Sequence, residues 1–203
     1  MRSLRNSGLI GKFLTGIHRQ GHSWEALIAL AALSATAQAQ TLSANAQLNG
    51  QAGTGNTFDY TITLNNSASS TVSISTFWYA WTPSGDYLPS SPSLVTPPSG
   101  WSDAITHFGA GDGYGIEFTA NTAGNALAPG QFLDFNFETL DTPTDLAGNS
   151  PFYPTTPVGT SVVYQGTAFT VPSLTFGVQS VPEPSVLSLL TVAGLVLFGR
   201  RRK

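Results

Sequence analysis

The sequence predicts an all-β fold: an antiparallel β-sandwich flanked by an N-terminal signal helix and a C-terminal transmembrane helix. Three observations point there. Short apolar–polar alternations of period two recur through the middle of the chain. Clusters of Gly, Pro, Ser and Asn separate them at short intervals. No ten-residue stretch of that middle region carries the apolar stripe of a helix. Strand and turn spacing alone suggests an immunoglobulin-like subtype, because the Cys-Trp-Cys pattern is ruled out in a chain with no cysteine.

The elements follow in order. Residues 1–39 read as a signal peptide. Arg2, Arg5, Lys12 and Arg19 form its basic region, residues 26–33 its apolar core, and Ala37-Gln38-Ala39 the preferred cleavage site, leaving Gln40 first. Residues 40–180 form the sandwich ectodomain. Residues 58–64 alternate as a strand, 65–70 as a polar turn, and 71–81 return as a second, central strand, so the two read as a hairpin. Residues 82–100 hold five prolines and read as an irregular loop. Trp101 after it reads as a plug on the core, with a sugar-stacking role as the sharper alternative. A Gly-rich turn at 109–115 precedes a strand with Ile116 and Phe118 inward. Pro129-Gly130 suits the two middle positions of a tight turn. Leu133, Phe135 and Phe137 share one strand face. After a polar loop at 141–157, Val162 with Tyr164 and Phe169 with Val171 supply the last strands.

Residues 181–203 are the third part. Pro182 and Pro184 fix their φ angles, which makes Pro182-Glu183-Pro184 a stiff, extended segment that displays one charge. The apolar run 185–199 follows, about 22 Å long as a helix. That is shorter than the roughly 30 Å hydrocarbon core, a gap that snorkelling of the end charges narrows. Arg200, Arg201, Arg202 and Lys203 close the chain as a cytoplasmic membrane anchor, placing the body outside. Motif, apolar helix and basic tail in this order resemble the PEP-CTERM sorting signal of exopolysaccharide-producing, mostly Gram-negative bacteria. The resemblance implies recognition at or near Pro182-Glu183-Pro184 by an exosortase, a membrane-embedded transpeptidase-like enzyme. It implies export through the inner membrane to the cell surface or extracellular matrix, from a membrane-anchored precursor. Glu183 is then a recognition residue and not an acid catalyst.

Charge sharpens the picture. Between Gln40 and Gly199 there is no Lys or Arg, while the same body carries Asp59, Asp86, Asp103, Asp112, Glu117, Asp134, Glu138, Asp141 and Asp145. A cation-free, acidic body excludes nucleic-acid binding, which needs cations to displace counterions. It also excludes docking on anionic lipid or anionic polysaccharide without bridging cations. Without cysteine, thiol catalysis and zinc–thiolate sites are excluded as well.

Catalytic constellations are thin. His107, with Asp103 four residues before it, is the body's one histidine, and no Gly-x-Ser-x-Gly elbow accompanies it. The carboxylate pairs Asp112 with Glu117 and Glu138 with Asp141 are the candidates for glycoside hydrolysis. Ca²⁺ is the best small ligand, with Asp141, Asp145 and Asn149 as its candidate metal site and the Asp112 turn as a second option. Two functional readings result. The preferred one is a surface or matrix structural and interaction protein without catalytic activity, whose partners are the exosortase, the membrane before processing, and exopolysaccharide. The other is a secreted lectin-like module or glycan-active enzyme, which predicts Trp78, Trp81 or Trp101 exposed on one face beside acids.

Overall fold

The computed structural model describes residues 39–181. The predicted signal peptide up to residue 38, the sorting motif Pro182-Glu183-Pro184, the apolar run 185–199 and the basic residues 200–203 lie outside them. Among the described residues no helix is long and apolar enough to cross a membrane.

Twelve strands run in chain order: β1 (Ala44–Ala52), β2 (Phe58–Asn66), β3 (Thr76–Tyr79), β4 (Trp81–Thr82), β5 (Gly85–Asp86), β6 (Leu94–Thr96), β7 (Trp101–Thr106), β8 (Gly115–Ala120), β9 (Phe132–Thr139), β10 (Thr160–Tyr164), β11 (Ser173–Gly177) and β12 (Gln179–Val181). The first sheet has the order β12-β1-β2-β9-β6 and the second β11-β10-β3-β8-β7, with β4 and β5 a small separate ladder. All pairs are antiparallel except β1 with β12. The fold is thus an all-β sandwich.

Alternation builds the core. On β2, Tyr60, Ile62 and Leu64 point inward; on β9, Phe135 and Phe137 do the same. From the second sheet come Phe77, Tyr79, Ile116 and Phe118. The layers meet through aromatic rings. Phe135 packs edge-on to Phe77 at 5.4 Å and to Trp101 at 5.2 Å, and tilted against Phe118 at 4.7 Å. Phe137 stacks on Tyr60 at 5.1 Å. Such pairs add about 0.5–1.5 kcal/mol each beyond their area burial. Trp101 is the expected plug: it is buried and its Nε1 donates to the Asn125 carbonyl at 3.0 Å. Pro129-Gly130 forms the expected turn, with Gln131 N donating to the Ala128 carbonyl at 3.1 Å and Gly130 at φ 76°.

Several expectations are corrected. The segment 58–64 does not form a hairpin with 71–81. β2 pairs β1 on one side and β9 on the other, while β3 lies at the centre of the opposite sheet. The chain between them crosses layers, anchored by buried Asn66, whose Nδ2 donates to the carbonyls of Val72 and Leu127 at 3.0 and 2.9 Å. The hairpin partner, β1, carries a weak apolar pattern, because Leu48 is flanked on the inward face by the small residues Ala46 and Gly50; a side chain at Gly50 would collide with the Tyr60 ring. The proline-rich loop 82–100 contains the short strands β5 and β6, and β6 is an edge strand, where flanking prolines cost no ladder bonds. Phe169 and Val171 are not in a strand. They sit exposed in the β10–β11 connection, and the strand starts at Ser173.

Candidate functional site

The candidate calcium ligands each have a structural task. Asp141, nearly fully buried, accepts from the Ser90 backbone N at 3.1 Å and from the Ser90 hydroxyl. Burial pushes its carboxyl up, against the lowering effect of those Ser90 bonds. Asp145 completes a capping box on the short helix α1 (Pro143–Ala147), accepting from Thr142 N at 2.8 Å and Thr142 Oγ1 at 2.7 Å. Asn149 donates from Nδ2 to the Pro154 carbonyl at 2.8 Å. Among the described residues no group of three or more His, Cys, Asp or Glu is arranged to hold a metal ion.

The acid and histidine candidates behave similarly. His107 bonds the Gly113 carbonyl through Nδ1 at 2.8 Å and stacks on Tyr114 at 4.5 Å, which commits the ring nitrogen that a triad would give to an aspartate. Asp112 Oδ1 accepts from Asp86 N, Gly113 N and the Tyr153 hydroxyl, each at 3.0 Å, and so ties three loops together. Glu117 lies opposite Trp78 and Ala104 on the outer face of the second sheet, its carboxyl raised by burial. Glu138 lies on the other sheet, beside Asp59 and Leu94.

One acid was missed in the sequence. Asp86 is fully buried, and its Oδ1 accepts from Thr106 Oγ1 at 3.0 Å while Oδ2 has no partner. Burial is the main reason its carboxyl is pushed up to about 6; Thr106 and His107 pull it down, Asp112 pushes it further up. Gly115 makes the room, since a Cβ there would lie 2.6 Å from Asp86 Oδ1. A pKa of this kind suits a general acid, but a carboxyl with no exposed surface reaches no substrate. No local sequence pattern marks Asp86, because its environment is supplied by β7 and β8.

The three tryptophans of the body are buried: Trp78 is 6%, Trp81 2% and Trp101 5% exposed. Trp78 and Trp81 stack at 4.2 Å on the outer side of the second sheet, where Val162 and Tyr164 join them and Phe169 covers Trp81 edge-on at 5.8 Å. The second sheet therefore offers no open indole platform.

The outer face of the first sheet is different. Asn45, Gln47, Asn49 and Gln51 of β1 stand exposed beside Asn65, Thr63, Thr61 and Asp59 of β2. The latter face Phe132, Asp134, Asn136 and Glu138 of β9. Two side-chain bonds brace the array: Thr61 Oγ1 donates to Asn136 Oδ1, and Thr63 Oγ1 to Asp134 Oδ1, both at 2.7 Å. Two grooves open on it. One of about 280 Å³ is lined by Asn45, Gln47, Thr63, Asn65 and Phe132. The other, about 170 Å³, runs past Gln51, Asp59, Thr61, Leu94, Asn136 and Glu138. Chemically this is a bed of amides, hydroxyls and carboxylates with no cation, suited to hydrogen bonding.

No protein-family model and no curated protein matches the chain. Among solved structures, the chain resembles the GH20 exo-β-N-acetylglucosaminidase of Vibrio harveyi, in an inactive mutant (TM-score 0.38) and in complex with N-acetylglucosamine (TM-score 0.39). Identity is 10% in both, over 68% of this chain and 18% of the enzyme, so the chain spans less than a fifth of that protein. An uncharacterized protein from Nocardia farcinica, described as having an immunoglobulin-like fold, is 16% identical over 69% of this chain and 97% of its own, with a TM-score of 0.35. With TM-scores this low, these likenesses place no substrate or activity on the present chain.

Proposed function

We propose that this protein is exported through the inner membrane and sorted by an exosortase to the cell surface or extracellular matrix, where it acts as a structural and interaction protein and not as an enzyme. The observation that carries the reading is the charge layout. Every Lys and Arg lies within the first 19 or the last four residues, and the last four follow the Pro-Glu-Pro motif and an apolar run. Processing at both ends delivers a domain with acids and no Lys or Arg. The placement of the polar groups supports a non-catalytic role. His107 is bonded to a backbone carbonyl, Asp86 is out of reach, and Asp112, Asp141 and Asp145 fasten loops.

The finer fold reading is immunoglobulin-like. The strand order β1-β2-β9-β6 against β11-β10-β3 follows the A-B-E-D against G-F-C arrangement of such domains, with β8 and β7 added beside β3 as extra strands are in variable-type domains. The departure is in chain order, since β6 precedes the added pair.

The sorting reading is tested by Pro182→Ala combined with Pro184→Ala in the native host. The expected result is a precursor held in the inner membrane fraction. Surface display equal to the unaltered protein overturns it.

A further inference from the structure

We propose that the outer face of the first sheet binds a neutral, hydroxyl-rich polysaccharide strand. This rests on the reading of the protein as a surface or matrix interaction protein and names its partner. Strand register sets the polar side chains in rows. Thr61 is flanked by Asn49 on one side and Asn136 on the other, and Thr96 extends the row onto β6. The next row joins Gln179 of β12, Gln47, Thr63 and Asp134. The first row is made of amides and hydroxyls, which both donate and accept hydrogen bonds, and the second adds the acceptor-only carboxylate of Asp134; sugar hydroxyls need both kinds of partner.

The bracing bonds from Thr61 to Asn136 and from Thr63 to Asp134 hold these groups in place before a ligand arrives, so less ordering entropy is lost on binding. The two grooves adjoin along β2, one past Asn65 and Thr63 and the other past Thr61 and Asp59, and together they line about 20 Å of the strand, so the shape favours an extended chain over a single small molecule. Phe132, 65% exposed at the wall of the larger groove, offers a ring face for stacking. Charge selects among polymers. Asp59, Asp134 and Glu138 lie on this face, and the body has no Lys or Arg, so an anionic polymer meets only repulsion. A neutral one lets the carboxylates accept hydrogen bonds from its hydroxyls.

The test uses the full chain, purified in detergent, in native gels containing dextran, laminarin, galactomannan or alginate, with EDTA to remove bridging cations. The expected result is retardation by at least one neutral polymer and none by alginate. The double variant Thr61→Ala/Asn136→Ala should weaken that retardation roughly tenfold, and Phe132→Ala severalfold. Thr175→Ala, on the other sheet, should leave it unchanged. Circular dichroism melts check folding, and Phe132→Ala, which removes a mostly exposed ring, keeps the test alive if the double variant unfolds. No retardation by any neutral polymer, retardation by alginate equal to theirs, or unchanged binding by the folded double variant overturns the proposal. So does a self-association of the chain that the same variants abolish, which would assign the face to a second copy. Surface display of the unaltered protein separates the failures. A displayed protein that binds no neutral polymer sinks only this inference. A protein whose export ignores the sorting motif sinks the functional reading instead.

Discussion

The two outer faces of the sandwich use the same strand geometry for opposite ends. On the second sheet, the outward side chains of β3 and β10 include Trp78, Val162 and Tyr164, buried with Trp81 beside the 165–172 connection. On the first sheet, the outward side chains of β1, β2 and β9 are amides, hydroxyls and carboxylates left open to solvent. A sandwich needs only its inner faces to be apolar. The covered face adds a second packing layer and contributes stability. The open face contributes little stability and is the part of the surface free to recognise something else.

The largest expected break of this contrast is Trp81→Ala. It removes the ring that Trp78 stacks on and Phe169 covers, and should cost about 3–5 kcal/mol, read as a lowered denaturant midpoint. An effect below about 1 kcal/mol would mean that the covered face is decoration.

Acidity comes next. Asp86, Asp141 and Glu117 all have carboxyls raised by burial. A group whose pKa is raised in the fold holds its proton more tightly folded than unfolded, so its stabilisation is full below the unfolded value and lost as pH rises through the folded one. For Asp86 that window runs from 3.8 to about 6. Thermal melts should therefore show Tm falling between pH 4 and pH 7, with self-repulsion of the acidic body adding in the same direction. Asp86→Asn should flatten the slope. A Tm that rises with pH across this window would contradict the burial of these acids.

Smaller effects sharpen the picture. Phe169 is 69% exposed and holds φ at 69°, in the left-handed region, to reach over Trp81. Phe169→Ala should cost only about 1 kcal/mol but shift tryptophan emission to the red. On the open face, Thr61→Ala should change stability by no more than about 0.5 kcal/mol. A larger loss there would move the first sheet's outer face from recognition to structure.

The sandwich was legible because Tyr60-Ile62-Leu64, Ile116-Phe118 and Leu133-Phe135-Phe137 carry the period-two pattern plainly. Strand partners were less so. Closeness in sequence suggested that β2 pairs with the strand at 71–81, while Asn66 and the crossing after it made β1 the partner. Phe169 and Val171 imitate a strand, because a lid and a strand edge both place apolar residues two apart. The tryptophans could be read as platform or as packing, and only tertiary neighbours decide between those. The open face was legible as polar positions strand by strand, but not as rows, since rows exist only once β12, β1, β2, β9 and β6 lie side by side.

The most direct test of the whole account is the intact mass of the mature protein from its native host. The expected mass corresponds to a chain that starts at Gln40 and ends within the Pro182-Glu183-Pro184 motif, with any attached group accounted for. A surface-exposed protein that still carries Arg200, Arg201, Arg202 and Lys203 would contradict it.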